Sequence, residues 1–349
     1  MKKRCLAALL ALVLVLSALP AQAWAAPSPI RYGQSVLTGN NLQLYNALKE
    51  QITQVADGSL DSSTFQLDVS GMGITYLNGT LQGADNNLIF IALLSDLPYE
   101  LYWFDKTKGW GCTWKYNSST GQVRSMEYQL CAYEEYAVHS ANGRAYYPYQ
   151  LNTAKTSAAK ACLKTARDLV DRCAGLSDYD KLRAYRDYLC DNNTYNHKAA
   201  ETGSAVAGGG PWQIIYMFDN NPSTNVVCEG YSKAFKYLCD LSVFSNDVAC
   251  YIVSGDANGR HMWNIVRING QSYLADITNC DPDSGSTKPL EEAFLAGDPN
   301  GTANGCAAHL PRYALDDWNY MPAQDIRYTY ESDIKRLYSA DVLKLSATN

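Results

Sequence analysis

Three residues in the second half of the chain combine the side-chain types of a nucleophile, a base and a carboxylate: Cys228, His261 and Asp276. Cys228 follows a loop rich in chain breakers and opens a predicted helix that runs to about Asp240. The positive end of a helix dipole lowers the pKa of a thiol, and the unpaired N–H groups there can hold an oxyanion. Both effects favour a thiolate that attacks a carbonyl carbon. Taken alone, a cysteine is more often a buried structural thiol or half of a disulfide.

A predicted hairpin brings the other two residues together. His261 starts a predicted strand, His261–Ile268, and Asp276 ends the next, Gln271–Asp276, with Asn269-Gly270 as the turn between them. In that register the two side chains fall on the same face, diagonal to each other and within reach. The carboxylate would then orient the imidazole and stabilise its charged form. The alternatives are an ordinary surface histidine and a strand-end aspartate that caps a turn.

The elements around this hairpin predict how the nucleophile is held. Helical spacing covers Ala154–Cys173 and Tyr179–Asp191, a loop follows over 201–225, and Ala249–Ser254 reads as a further strand. The helix that begins at Cys228 would therefore pack on an antiparallel sheet. The predicted fold class is α+β.

The sequence of the first half predicts a smaller α+β unit. We find no candidate pair of nucleophile and base within it. A helix is expected over 41–56, where apolar residues recur at helical spacing. Alternation and turn signals then predict strands at Thr64–Ser70, Leu101–Phe104, Trp110–Tyr116 and Val123–Tyr133.

The N-terminus has the three-part pattern of a secretory signal peptide. A basic start, Met1-Lys2-Lys3-Arg4, precedes the apolar run Leu6–Leu19 and small residues around Ala23. The run of about 14 residues is shorter than the roughly 20 that a membrane span needs, although a retained anchor is the alternative. We expect a signal peptide at 1–25 and a protein that is secreted or at the extracellular surface, without stable membrane insertion after signal removal. The expected units are 26–150, 151–325 and a tail at 326–349.

Composition limits the partners of this protein. The chain of 349 residues has 47% hydrophobic residues, 18% charged residues and a net charge of −6, which argues against a nucleic-acid partner. Its eleven cysteines would usually pair in an exported protein. Their spacing matches no Cys/His metal pattern, so no metal and no cofactor are expected.

Three short blocks carry a resemblance to a known family. They are Cys228-Glu229-Gly230-Tyr231, His261-Met262-Trp263-Asn264 and Asp276-Ile277-Thr278-Asn279-Cys280-Asp281. In this order and spacing they resemble the bacterial transglutaminase-like domain of the papain-like superfamily, over roughly residues 155–320. The resemblance implies a transglutaminase-like core, with a nucleophile helix packed on an antiparallel sheet, preceded by the small α+β unit.

The resemblance also implies roles for individual residues. Cys228 would be the nucleophile, His261 the general base and acid, and Asp276 the orienting carboxylate. Trp263, Asn264 and Thr278 are expected to support the site structurally. Trp212 and Gln213 are candidates for a second oxyanion donor, and no substrate-binding residue is indicated.

The implied reaction is acyl transfer through a thioester. The Cys228 thiolate would attack an amide carbonyl, and His261 would protonate the leaving amine. The substrate would be a peptide, a protein or a cell-wall peptide, with hydrolysis favoured over cross-linking. The alternative is a non-catalytic extracellular binding or surface-assembly module that keeps an idle triad on a transglutaminase-like fold.

Overall fold

A computed structural model describes residues 31–202, 210, 213–257, 259–281, 293–298, 309–311 and 325–348. The predicted signal peptide at 1–25 and the candidate Trp212 lie outside these residues. Helices are α1 (Tyr32–Val36), α2 (Gly39–Ala56), α3 (Asn86–Asp96), α4 (Thr153–Ala159), α5 (Leu163–Cys173), α6 (Asp178–Asp191), α7 (His197–Thr202), α8 (Cys228–Leu241), α9 (Ile277–Cys280), α10 (Ser332–Leu337) and α11 (Ala340–Leu343), with 3₁₀ turns at Lys160–Cys162 and Ile214–Met217.

The strands pair in antiparallel fashion throughout the described sheets. They are β1 (Thr64–Asp68), β2 (Thr75–Leu77), β3 (Thr80–Gln82), β4 (Trp110–Tyr116), β5 (Val123–Leu130), β6 (Ala137–His139), β7 (Tyr146–Leu151), β8 (Val248–Ala257), β9 (Arg260–Ile268), β10 (Gln271–Ala275), β11 (Phe294–Ala296), β12 (His309–Pro311) and β13 (Asp325–Tyr330). The mixture of helices and antiparallel sheets confirms the α+β class.

In the first half, β5 lies between β1 and β4 in one sheet, and β2–β3 and β6–β7 form separate hairpins. The helix predicted over 41–56 is confirmed as α2, whose apolar face is buried. The apolar helix α3 contacts α1, α2, α10 and β8. Because it is surrounded on several sides, it can be apolar almost all round.

Two of the predicted elements differ from the structure. The predicted strand at Leu101–Phe104 is wrong: its backbone forms turns, with Phe104 N–H donating to Leu101 O at 3.1 Å. All four side chains are buried. A short apolar run fits a buried turn as well as a buried strand, so the sequence pattern alone does not distinguish the two. The helix predicted over Ala154–Cys173 is interrupted at Lys160–Cys162 by the 3₁₀ turn between α4 and α5.

The larger sheet positions the predicted site. Among the described residues its strand order is β11-β10-β9-β8-β13-β12. The predicted β9–β10 hairpin is confirmed: Gln271 pairs with Ile268, and both turn residues have positive φ, 49° at Asn269 and 82° at Gly270. That combination is a type I′ turn, which Asn-Gly favours. Helix α8, which starts at Cys228 as predicted, contacts β8 and β9.

The first half of the chain packs directly on the second. The ring of Tyr32 lies 5.2 Å from Tyr251 and 5.2 Å from Tyr338. The hydroxyl of Tyr102 contacts Ala56 O at 3.1 Å and Thr156 O at 3.0 Å. The buried apolar side chains of both halves belong to one continuous cluster. The segment expected as a tail, 326–349, supplies most of β13 and the helices α10 and α11.

None of the described helices combines the length and the apolar character that crossing a bilayer requires.

Candidate active site

Cys228 is the first residue of α8, and its side chain is partly exposed. Val227, at the N-cap, has an extended backbone and no side-chain cap hydrogen bond. The first N–H groups of a helix lack the usual i−4 acceptor. In α8 the Gly230 N–H donates to Val227 O at 2.9 Å, whereas the N–H groups of Cys228 and Glu229 before it can meet a ligand oxygen. This is the placement that the sequence predicts for a nucleophile with an oxyanion site beside it.

Two small residues fix the first turn of α8 against its surroundings. Gly230 lies against Val226, because a Cβ added there would come within 2.5 Å of the Val226 Cβ. Oγ of Ser232 lies 2.8 Å from Cys228 O and 2.9 Å from Met262 O and can donate to either carbonyl. Since Met262 follows His261, Ser232 links the backbone of Cys228 to the strand that carries His261.

His261 and Asp276 are brought together by the β9–β10 hairpin. Nε2 of His261 lies 2.8 Å from Oδ2 of Asp276. Asp276 is the N-cap of α9, so it stands one residue beyond β10, and its carboxylate accepts from the Asn279 N–H at 3.1 Å. The His261 side chain keeps 11% of its surface exposed, whereas Asp276 is fully buried. Asp276 thus holds the imidazole at Nε2 from the buried side, and the rest of the ring keeps some solvent exposure.

The Asp276 carboxylate has two further donors. The Asn279 amide Nδ2 donates to Oδ2 at 2.6 Å, and the Tyr328 hydroxyl donates to the same oxygen at 2.7 Å. Tyr328 lies on β13, 52 positions along the chain from Asp276, and no sequence motif marks it as part of the site. A buried carboxylate with this many donors is strongly stabilised in its charged form.

The charges of the pair follow from these contacts. Burial lowers the pKa of His261, but attraction to Asp276 and hydrogen bonds with Asp276 and Cys228 raise it to about 10. Burial likewise opposes the Asp276 charge, but His261, Tyr328 and Asn279 hold the pKa of that carboxyl below its usual range. At neutral pH the site therefore contains an imidazolium that faces a carboxylate and lies beside the side chain of Cys228. The three sequence-predicted residues form one connected set.

Trp263 and Asn264 surround this set, as expected for supporting residues. The fully buried Trp263 ring is stacked near His261 at 6.0 Å and packs edge-on against Tyr328 at 5.0 Å. Nδ2 of Asn264 donates to Ser232 O at 3.0 Å and to Tyr251 O at 3.3 Å, which ties α8 to β8 and β9. The Thr278 hydroxyl oxygen is buried and, among the described residues, has no hydrogen-bond partner.

The ends of two sequence blocks also meet. The Tyr231 hydroxyl donates to Oδ2 of Asp281 at 2.6 Å. Tyr231 is fully buried on α8, and Asp281 directly follows α9. The contact fixes the nucleophile helix relative to the segment that carries Asp276. The contact between Tyr231 and Asp281 explains why each of these residues ends its sequence block, Cys228–Tyr231 and Asp276–Asp281.

A charged cluster that the sequence analysis missed lies next to the nucleophile. Glu229 directly follows Cys228, is buried, and pairs with Lys106 and, at 2.8 Å, with Lys233. Burial raises the pKa of Glu229, but the two lysines lower it to about 2. Glu229 and Lys233 form an ordinary helical i,i+4 pair, which the sequence alone predicts. The contact with Lys106 could not be predicted in this way, because Lys106 belongs to the first half of the chain.

Gln213, one candidate for a second oxyanion donor, borders the same small cleft as Lys106, Glu229 and Lys233. Its Oε1 accepts from the Tyr136 hydroxyl at 3.0 Å. Its Nε2 is buried and has no hydrogen-bond partner among the described residues. Gln213 stays a candidate on this ground.

Cys228 carries a free thiol, and so do Cys112, Cys131, Cys162, Cys173, Cys190, Cys239 and Cys250. The pairing expected for an exported chain is not seen among these eight residues. No group of three or more His, Cys, Asp or Glu in this part of the chain is arranged to hold a metal ion.

No protein-family model matches the chain, and no curated protein does either. Among solved structures, a crystal structure of a TGase has a TM-score of 0.29 and 16% sequence identity to this chain. The match covers 53% of this chain and 49% of that one, so the chain spans about half the length of the matched structure.

Proposed function

We propose that this protein is an exported, transglutaminase-like cysteine enzyme that transfers acyl groups from peptide or protein amides. The observation that carries the proposal is the connected set of Cys228, His261 and Asp276, in which the imidazole lies 2.8 Å from the buried carboxylate and next to the Cys228 side chain. A thiol that only fills the core needs no imidazole held by a buried carboxylate. The position of Cys228 at the start of a 14-residue helix supports the same role.

The reaction follows from this geometry. Sγ of Cys228, as thiolate, attacks the amide carbonyl carbon, and the N–H groups at the start of α8 bind the oxyanion. The C–N bond then breaks as the His261 imidazolium gives its proton to the leaving amine. A thioester remains on Cys228. Water attacks it, His261 takes the proton from that water, and the acid leaves as the thiolate is restored.

The acceptor and the substrate belong to the proposal as well. We favour water over an amine as acceptor, which gives hydrolysis of a peptide bond or deamidation of a glutamine. The substrate class is a peptide, a protein or a cell-wall peptide outside the cell. Asp276 acts through His261, since its carboxylate is buried behind the imidazole.

The test is the pH dependence of iodoacetamide alkylation at Cys228, with the labelled site located by peptide mapping. We expect rapid labelling that persists well below pH 8 in the wild type and is lost in His261→Ala. Cys112 is an internal control, because burial raises the pKa of its thiol to about 11. Release of amine or ammonia from peptide amides then measures turnover.

Two results would overturn the proposal. One is slow labelling of Cys228 with an ordinary thiol titration in both proteins. The other is a Cys228 held in a disulfide in the purified protein. Either would favour the binding or surface-assembly module on the same fold.

A further inference from the structure

The turn after Phe104 brings a lysine of the N-terminal unit to the start of the nucleophile helix. Asp105 fixes this turn: its N–H donates to Cys131 O at 2.8 Å, and its carboxylate accepts from the Thr107 N–H at 3.1 Å. Lys106 projects from the turn and forms its ion pair with Glu229. The lysine is therefore held by a structured turn and not by a free loop.

Two lysines approach Glu229, the residue that directly follows Cys228. Glu229 receives Lys106 on Oε2 and Lys233 on Oε1, so two lysines face one carboxylate. Burial lowers the pKa of Lys106, but Glu229, the Cys228 thiol and Glu331 raise it. Without Lys106, the carboxylate beside the nucleophile would be balanced by Lys233 alone. A negative charge next to a thiol disfavours the thiolate, and a positive charge favours it.

Building on the proposed function, we infer that Lys106 is a positioning residue for the reaction: it neutralises Glu229 and favours the Cys228 thiolate. The N-terminal unit thus supplies part of the electrostatic environment of the active site. His261 sets the protonation of the thiol from the sheet side, and Lys106 acts from the opposite unit. The Lys106 side chain is 39% exposed, so salt screens its effect in part.

The experiment compares pH profiles of Cys228 alkylation in the full chain at low ionic strength. Lys106→Met should move the half-maximal pH upward and slow labelling at pH 6.5 by about threefold to tenfold. At high pH, where the thiolate forms in any case, the rates should converge. Lys106→Arg keeps the charge and should restore most of the wild-type profile.

Lys108→Met is the matched control. Lys108 lies on the same turn, but it pairs with Asp105 at 3.4 Å, within its own unit. We expect its profile to match the wild type. Thermal unfolding of every variant verifies that it is folded, and Lys106→Arg tests the charge even if the methionine destabilises the turn.

Three results would overturn the inference. In the first, Lys106→Met slows labelling equally at every pH, which is the mark of a structural role. In the second, Lys108→Met moves the profile as far as Lys106→Met does. In the third, Cys228 is reactive in the wild type and the pH profile of its alkylation is unchanged in Lys106→Met. The role of Lys106 is then refuted, while the proposed function is retained. A slow wild-type Cys228 would instead overturn the proposed function together with the inference.

Discussion

The hydroxyl of Tyr328 donates a 2.7 Å hydrogen bond to Oδ2 of Asp276, the oxygen that faces Nε2 of His261 at 2.8 Å. Because Asp276 is fully buried, each donor offsets part of the cost of removing its charge from water. Tyr328 belongs to β13, which pairs with β8 in the larger sheet. The outer part of the sheet thus stabilises the carboxylate that holds the base.

Removing that hydroxyl tests its contribution. Tyr328→Phe keeps the ring but leaves the carboxylate with one donor fewer, so we expect the free energy of unfolding to fall by about 1–3 kcal/mol. Alkylation of Cys228 should slow as the imidazole is held less well. Tyr330→Phe is the control, because the Tyr330 hydroxyl donates to a backbone carbonyl, that of Leu343 at 3.4 Å, and not to the Asp276 carboxylate. Equal losses in both variants, measured by denaturant unfolding, would contradict the role given to Tyr328.

The charge on His261 should depend on Asp276. In the wild type the pKa of His261 is raised to about 10, so its imidazole should stay protonated at pH 8. In Asp276→Asn the attraction is lost, and the imidazole should be neutral at that pH. Nitrogen-detected NMR of the imidazole distinguishes the two forms. Asp256→Asn, at an exposed position of β8, should leave the His261 signal unchanged. An imidazole that is neutral at pH 8 in the wild type would refute this assignment.

The same pKa predicts how stability depends on pH. A group whose pKa is raised on folding stabilises the fold fully below its unfolded value and loses that contribution above its folded value. For His261 the window runs from pH 6.5 to about 10. We expect the free energy of unfolding to fall across this window, by at least about 1 kcal/mol more in the wild type than in His261→Gln. Parallel curves for the two proteins would exclude a stabilising role for the imidazolium.

Gly255 allows β13 to approach β8. A Cβ at this position would lie 1.5 Å from Thr329 O and 3.0 Å from the Trp263 ring. We expect Gly255→Ala to separate the two strands and to cost about 3 kcal/mol or more in unfolding free energy. Hydrogen exchange at 325–330 should rise at the same time. Gly111→Ala, in β4, is the control, since nothing lies within 4 Å of its added Cβ. Unchanged exchange in Gly255→Ala would show that the strand accommodates the methyl group.

The sequence predicted those parts of the site that depend on local structure. His261 and Asp276 belong to one hairpin, whose Asn269-Gly270 turn sets the register, so their proximity follows from short-range rules. Cys228 starts a helix, and the chain-breaking residues of the loop before it predict where that helix begins. Each of these inferences needs only a few consecutive residues.

Contacts between distant segments were not predictable in the same way. Tyr328 lies 52 positions from Asp276, and Lys106 lies 123 positions from Glu229. No periodicity marks either residue, because their roles depend on how strands and units pack. The turn at Leu101–Phe104 was misread for a related reason: full burial makes a turn as apolar as a strand.

The position of β13 after Cys228, His261 and Asp276 in the sequence bears on when the candidate site can form. A chain is synthesised from its N-terminus, so Cys228, His261 and Asp276 all emerge before Tyr328 does. Until then the carboxylate lacks its phenolic donor, and the edge of β8 that β13 covers is unpaired. A nascent chain that has not yet reached β13 thus carries Cys228, His261 and Asp276 in an incomplete setting. If these residues form the proposed site, its full reactivity requires synthesis of the chain through β13.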